Sequence, residues 1–289
     1  MRPIQAHDAG RQFVLTPNFR RALHVVPSLL FLLAFFIVPL VDNGVRSFFI
    51  KGEFSLSNYT RLADSYYLGV IANTVALSLV VTVISLVAGY PVAYYLARHA
   101  GRWRNVLVFM LIAPLLTSII MRTFGWQVLF ARRGLLNSLL LEAGWIETPL
   151  QLLNGPFAIV IGLVHVLVPM MVLSITSVLQ SINPRLEESA RVLGAGWWRT
   201  FFQITFPLSL EGVGTGAMIV FMLASGSFVT LLMLGGGSMQ TLPLLIYQQF
   251  TTTRDFGFAS TMSNVMLLVA LACLYLQLRL IKLRGVKAN

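Results

Sequence analysis

Apolar residues recur along this chain in six long runs, roughly 22–42, 68–97, 105–127, 156–180, 212–234 and 259–281, with charges and glycines collecting between them. A hydrocarbon core ~30 Å thick needs about 20 apolar residues at a rise of 1.5 Å per residue. Each run is long enough to cross it as a helix. The pattern predicts an all-α polytopic membrane protein with six transmembrane helices. Arg122 falls near the end of the third run, which leaves that boundary the least sharply defined.

The pattern changes between the fourth and fifth runs. From Asn183 to Leu210 the chain reads NPRLEESARVLGAGWWRTFFQITFPLSL. Asn183 reads as an N-cap and Pro184 as the first helical residue, where its missing N–H costs nothing. Glu187 and Glu188 then meet the positive end of the helix dipole. Leu186, Ala190, Leu193 and Trp197 follow at spacings of four, three and four, forming one apolar stripe. Gly194 and Gly196 end or bend that helix. Trp197, Trp198, Phe201, Phe202 and Ile204 begin a second amphipathic stretch, which Pro207 interrupts. Two short surface helices joined at a glycine are expected. Resting on lipid headgroups would account for the tryptophans. It accounts less well for adjacent glutamates beside anionic lipid, which suit presentation to a protein partner.

Composition agrees with the spans. Of 289 residues, 57% are hydrophobic and 11% charged, against about 25% charged in soluble domains. The runs fill the chain evenly, so residues 22–289 read as one membrane domain with the loop at 181–211, after a tail at 1–21. The net charge of +11 invites a nucleic-acid reading, but the basic residues sit at the ends of runs, which is a topology signal. Fourteen of the 21 fall in the tail, the second and fourth loops and the C-terminus, seven in the other loops. That asymmetry predicts cytoplasmic N- and C-termini and a cytoplasmic central loop. The first run, from Ala22, is too long for a signal-peptide core and no A-x-A-like site follows it, so it is expected to stay as a helix. The lysines, Lys51, Lys282 and Lys287, form no phosphate loop. Any ATP is expected to be bound by another chain. A single cysteine, Cys273, predicts neither disulfides nor a metal site.

Outside the spans, Ser57 is expected to N-cap a short helix over Leu62 and Ala63. Asn58-Tyr59-Thr60 matches a common glycosylation tripeptide, Gly134 to Leu153 suits an interfacial segment, and Gly235-Gly236-Gly237 a flexible break.

Polar residues within the runs are candidates for a solute pathway. They are Asn73, Thr74, Ser78, Thr82 and Ser85; Thr117, Ser118 and Arg122; His165, Ser174 and Thr176; Ser225, Ser227 and Thr230; and Ser260, Thr261, Ser263 and Asn264. For the hydroxyls, close helix packing is the competing role. Pro91, Pro114 and Pro169 are expected to kink their helices. No Asp or Glu lies well inside a run, so a cationic solute would rely on aromatic faces such as Tyr90, Tyr94 and Trp126 or on a partner chain. Arg122 either snorkels to the outer headgroups or faces the pathway as a gate or solute contact. An ion-coupled secondary transporter lacks its usual intramembrane ionisable groups and repeats here. A protease dyad of Ser227 and His165 and a membrane scaffold are further alternatives.

Spacing distinguishes among these readings. Glu188-Ser189-Ala190, three residues, Gly194, nine residues, Ile204, one residue, then Phe206-Pro207 closely resembles the EAA loop of ABC-importer permeases. Ser189 stands where that pattern has Ala, and Phe206 where it has Leu. LSNYTRL (56–62), VAGYPVAYYLA (87–97), LIAPLLTSIIMRTFGW (111–126), GLLNSLL (134–140) and IVIGLVHVLVP (159–169) extend the resemblance to the spermidine/putrescine-type permeases. The resemblance implies a type I importer permease fold in a bacterial inner membrane, with no catalytic or metal site. It implies that Glu187, Glu188, Ser189, Ala190, Leu193, Gly194, Ile204 and Pro207 dock on a nucleotide-binding subunit. Glu188 would meet its polar or basic groups, and Gly194 would allow a turn where a side chain would clash. Two such ATPase subunits, holding ATP and Mg, a second, non-identical permease and a periplasmic binding protein would complete the importer. Lipid surrounds it, and no nucleic acid is involved. Asn73, Tyr90, Thr117, Ser118, Arg122, Trp126, Ser225, Ser227 and Asn264 are the pathway residues chosen. The solute would be a polyamine or a related small organic molecule, with an amino acid, opine or organophosphonate as alternatives.

Overall fold

The structure is a computed structural model that describes residues 26–50 and 52–285. The expected tail at 1–21, with its arginines, and Lys51 and Lys287 lie outside the described residues. Two compact units divide at Arg46. In the first, helix α1 (Val26–Arg46) exposes apolar side chains along its whole length. A helix apolar on every side suits hydrocarbon contact. It includes a π-helical turn at Leu33–Ile37 and continues past the expected end at residue 42. Its last turn carries an exposed Arg46–Asp42 pair at 2.6 Å, worth little in solvent.

The second unit opens with a departure from the all-α expectation, a two-stranded hairpin of β1 (Phe49–Ile50) and β2 (Glu53–Phe54), in antiparallel register Phe49 to Phe54. Helix α2 (Ser57–Leu62) follows, but Ser57 is not its cap: Leu56 holds that position, and the Ser57 N–H donates to the Ser55 hydroxyl at 3.2 Å. Asn58 is buried, donating to the Ser47 carbonyl at 3.3 Å.

Helices α3 (Ser65–Arg98), α7 (Pro156–Ser181) and α13 (Phe256–Gly285) are continuous, although Pro91 and Pro169 lie inside the first two. The third and fifth runs behave differently. Helix α4 (Arg104–Ile112), flanked by 3-10 turns at Gly101–Trp103 and Ala113–Leu116, breaks at Thr117 and Ser118 before α5 (Ile119–Phe130), and α6 (Leu135–Glu142) follows. The two arms of this third segment meet at 93°. Pro114 withholds an amide and the turn tightens, while the Thr117 hydroxyl donates to the Pro114 carbonyl at 2.8 Å. The fifth run is not one helix to residue 234. Helix α10 (Leu210–Ser225) stops at Gly226, and a separate α11 (Val229–Leu234) resumes, followed by α12 (Leu242–Gln248). Among the described residues, four helices are long and apolar enough to span, or six if each bent pair counts once.

Helices α3, α7 and α10 form the core, around Val81, Ala93, Ile159, Met171, Ile175 and Val220. Between helices in lipid, close van der Waals fit replaces hydrophobic expulsion, which favours small residues at the contact. Gly216 provides it on α10: a Cβ there would come within 2.8 Å of the Met171 sulfur. Hydroxyls also bond across helices. Ser225 donates to the Ser78 hydroxyl at 3.0 Å, and the Leu242 N–H to that of Thr74 at 2.9 Å.

Candidate functional site

The segment between α7 and α10 folds as two short helices, α8 (Arg185–Val192) and α9 (Trp197–Leu208). The first begins one residue later than expected: Pro184 takes the N-cap position, and the Asn183 side chain accepts from the Arg185 N–H at 3.1 Å. It ends in a paired closure, Gly194 N–H to the Arg191 carbonyl and Ala195 N–H to the Ala190 carbonyl, both at 3.0 Å. That closure needs a left-handed residue, and Gly194 has φ +86°. A Cβ on Gly194 would meet nothing within 4 Å. Within this chain, backbone conformation rather than a clash explains the glycine.

The apolar stripe faces outward. Leu186 and Trp197 are about half exposed, and Val192 and Leu193 each 87% exposed. The face turned to the bundle carries Glu187, only 7% exposed. Its Oε1 accepts from Arg98 Nε at 3.1 Å and from Arg98 NH2 at 3.0 Å, and its Oε2 from the Tyr94 hydroxyl at 3.4 Å. Arg98 NH1 also donates to the Ile182 carbonyl at 3.2 Å. The adjacent glutamates therefore part. Glu187 is tied internally, while Glu188 and Ser189 are exposed and Ala190 is partly covered.

Helix α9 contains a π-helical turn at Phe201–Thr205 and bends 62° into α10 at Ser209. Tyr90 reaches this joint: its hydroxyl lies 2.8 Å from that of Ser209, and its ring packs edge-on to Phe201 at 5.4 Å. Ile204 is partly covered and Pro207 exposed. Tyr90, chosen for a pathway, is thus a buried anchor of the loop.

A separate cavity of about 320 Å³ brings Arg122, Ser227 and Thr230 together with Ile119, Met170 and Leu223. It lies where both broken segments open. Arg122 NH1 donates to the Pro114 carbonyl at 2.7 Å, so the guanidinium spans the break of the third segment. Its buried Nε has no hydrogen-bond partner. Thr117 and Ser118 form the break itself and are exposed. Trp126 packs on Phe130 and edge-on to His165 at 5.4 Å, so that histidine's ring faces indole. Ser225 is buried against Ser78. Asn73 is exposed on α3, and Asn264 is half-buried on α13. Of the nine pathway residues chosen, only Arg122 and Ser227 line this cavity.

Sequence reasoning missed Val192 as an exposed apolar residue and Arg98 as a loop anchor. Val192 lies off the stripe that periodicity picks out. Arg98 reads from sequence only as a topology charge. Glu187 lies 89 residues from Arg98, so no local signal marks the pair.

The profile of the family described as "Binding-protein-dependent transport system inner membrane component" matches residues 85–284. The spermidine/putrescine transport system permease protein PotB of Escherichia coli is 36% identical over 221 residues, 76% of this chain and 80% of that protein. The PotB of Haemophilus influenzae is 31% identical over 239 residues, 83% and 82% of the two chains. Among solved structures, a chain of a bacterial ABC transporter involved in the import of the acidic polysaccharide alginate superposes with TM-score 0.79. It is 17% identical and covers 92% of this chain and 96% of its own length. A chain of the MetNI methionine ABC transporter gives 0.57 at 17% identity, covering 75% and 95%. These two likenesses show a shared fold. With the profile spanning most of the chain and the PotB relatives most of their length, this protein belongs to the inner-membrane components of binding-protein-dependent transport systems.

Proposed function

We propose that this permease imports a polyamine or a related small organic solute, and that α8 and α9 are the element through which a separate ATPase drives it. The observation that carries the coupling role is the outward face of α8. Val192 and Leu193 stand 87% exposed beside Glu188, an apolar knob with a carboxylate at its edge. A helix that turns apolar residues away from its own protein fits a groove on another. In this reading Glu188, Ser189, Ala190, Leu193 and Gly194 meet the ATPase subunit, Glu187 holds the helix from behind, and Ile204 and Pro207 shape the α9 exit.

The rest of the assembly follows the same reading. The two bent pairs each count as one span, making six, with both termini cytoplasmic. Two ATPase subunits bind and hydrolyse ATP with Mg, and this chain supplies no catalytic group. A second, non-identical permease completes the translocation path, and a periplasmic binding protein delivers the solute. The cavity at Arg122 and Ser227 lies on that path. ATP and the loaded binding protein each bias a two-state equilibrium between inward- and outward-facing forms. The polyamine assignment rests on the PotB relatives.

Co-purification of the chain with the products of neighbouring genes tests the assembly. An ATPase subunit is expected to copurify, and its hydrolysis to rise when loaded binding protein is added. Uptake driven by protons or sodium through this chain alone would contradict it. Thermal-shift screening of the cognate binding protein against polyamines, amino acids and organophosphonates tests the solute, with stabilisation by spermidine or putrescine expected.

A further inference from the structure

We infer that α3 is the helix that carries the coupling loop, with Arg98 and Tyr94 as positioning residues that lock Glu187 to it; this rests on the coupling role proposed above. By chain connectivity the loop belongs to α7 and α10, but the first joint is not helical and the second, although Ser209 stays helical and hydrogen bonded to Thr205 and Val213, is sharply bent. Ile182 is extended, with ψ 125°, and the α9–α10 junction bends 62°. Side-chain attachments at both ends of the loop run to α3. At the start of the loop, Arg98 makes two hydrogen bonds to Glu187 and one to the Ile182 carbonyl, with both charged side chains under a tenth exposed. At its end, the Tyr90 hydroxyl meets Ser209 at 2.8 Å, and its ring packs on Phe201 and Phe206.

A buried ion pair is costly to pull apart because each partner would be left charged and poorly solvated. A force that moves α8 therefore displaces α3 before it breaks this contact. Helix α3 is unbroken over 34 residues, about 50 Å at 1.5 Å per residue. Just past its midpoint Ser78 accepts a hydrogen bond from Ser225 at 3.0 Å. Ser225 is the last residue before the α10 break, and Ser227 beyond it lines the cavity with Arg122. One helix thus connects the loop to the wall of the cavity.

Two measurements on the assembled importer test this. The first compares solute imported per ATP hydrolysed in proteoliposomes for the wild type, Arg98→Gln, and Arg98→Gln with Glu187→Gln. With Glu187 left unpaired, the ratio is expected to fall at least about fivefold, the lower end for coupling between sites, while the ATPase subunit stays bound. Neutralising Glu187 as well is expected to recover part of it. An unchanged ratio, with transport and hydrolysis falling only in step with the amount of complex, would mean a merely structural pair and overturn the inference.

The second measurement requires no change at the pair. Spin labels at Arg185→Cys and Val92→Cys, in a Cys273→Ser background, report whether α8 and α3 move together. Their separation is expected to be the same in nucleotide-free and vanadate-trapped complexes. A change on trapping would show the loop sliding over α3 and would overturn the inference. Failure of the wild-type chain to bind an ATPase subunit at all would instead sink the coupling role.

Discussion

Glu187 and Glu188 are neighbours in sequence but point about 100° apart on a helix, and their surroundings are opposite. Glu187→Ala leaves Arg98 buried without its partner, a loss of about 3–5 kcal/mol; Glu188→Ala, on the exposed side, falls within about 0.5 kcal/mol. Thermal unfolding of the two variants in detergent checks this contrast. The sequence could place both carboxylates in the first turn of a helix but could not separate them, because Glu187's partner lies 89 residues away and leaves no local trace. Gly194 is a similar case. Its spacing in the motif is plain in the sequence, and a turn there is expected. The structure locates the constraint in a φ of +86° with open space around the Cα. An ordinary L residue pays roughly 1–2 kcal/mol for that conformation, Asn less. Gly194→Asn is therefore expected to unfold at a higher temperature than Gly194→Val, with neither loss arising from crowding.

At the scale of elements, hydropathy found the helical runs but not their interruptions. Thr117, Ser118, Gly226 and Ser227 are too few and too small to lower an averaged window, yet each pair lies at a point where helical geometry ends. Pro114 was visible as a kink signal. That Thr117 and Arg122 both take its carbonyl depends on the turn already being made. The loop's anchorage was equally hidden: Tyr90 reads from sequence as an aromatic inside a span, and its contact with Ser209 spans 119 residues. Tyr90→Phe keeps the packing on Phe201 and removes one hydrogen bond, a loss of about 1 kcal/mol. Tyr90→Ala also leaves a cavity and is expected to lose about 3–5 kcal/mol, as for other buried aromatics. Gly216→Leu would force α10 away from Met171 and α7, at about 1–3 kcal/mol or more. Chemical denaturation in mild detergent orders these three variants.

For the whole molecule, the proposed powering element and the proposed passage lie apart. The α8–α9 pair, its exposed knob and its ties to α3 occupy the end of the bundle where α3 and α7 finish and α10 begins. The Arg122 cavity lies beside the breaks in the third and fifth segments. The motif spacing marks the first of these in the sequence as a distinct loop, since fixed separations among Glu188, Gly194, Ile204 and Pro207 are readable without knowledge of the fold. It marks little of the cavity, because hydroxyls that bond between helices and hydroxyls that line a cavity look alike in sequence. The most direct test of the coupling role is ATP hydrolysis by the reconstituted importer, with and without solute-loaded binding protein, in the wild type and in Glu188→Lys. Stimulation is expected in the wild type and absent in Glu188→Lys, with the variant chain still inserted in the membrane and uptake lost. Full stimulation in Glu188→Lys would contradict the account.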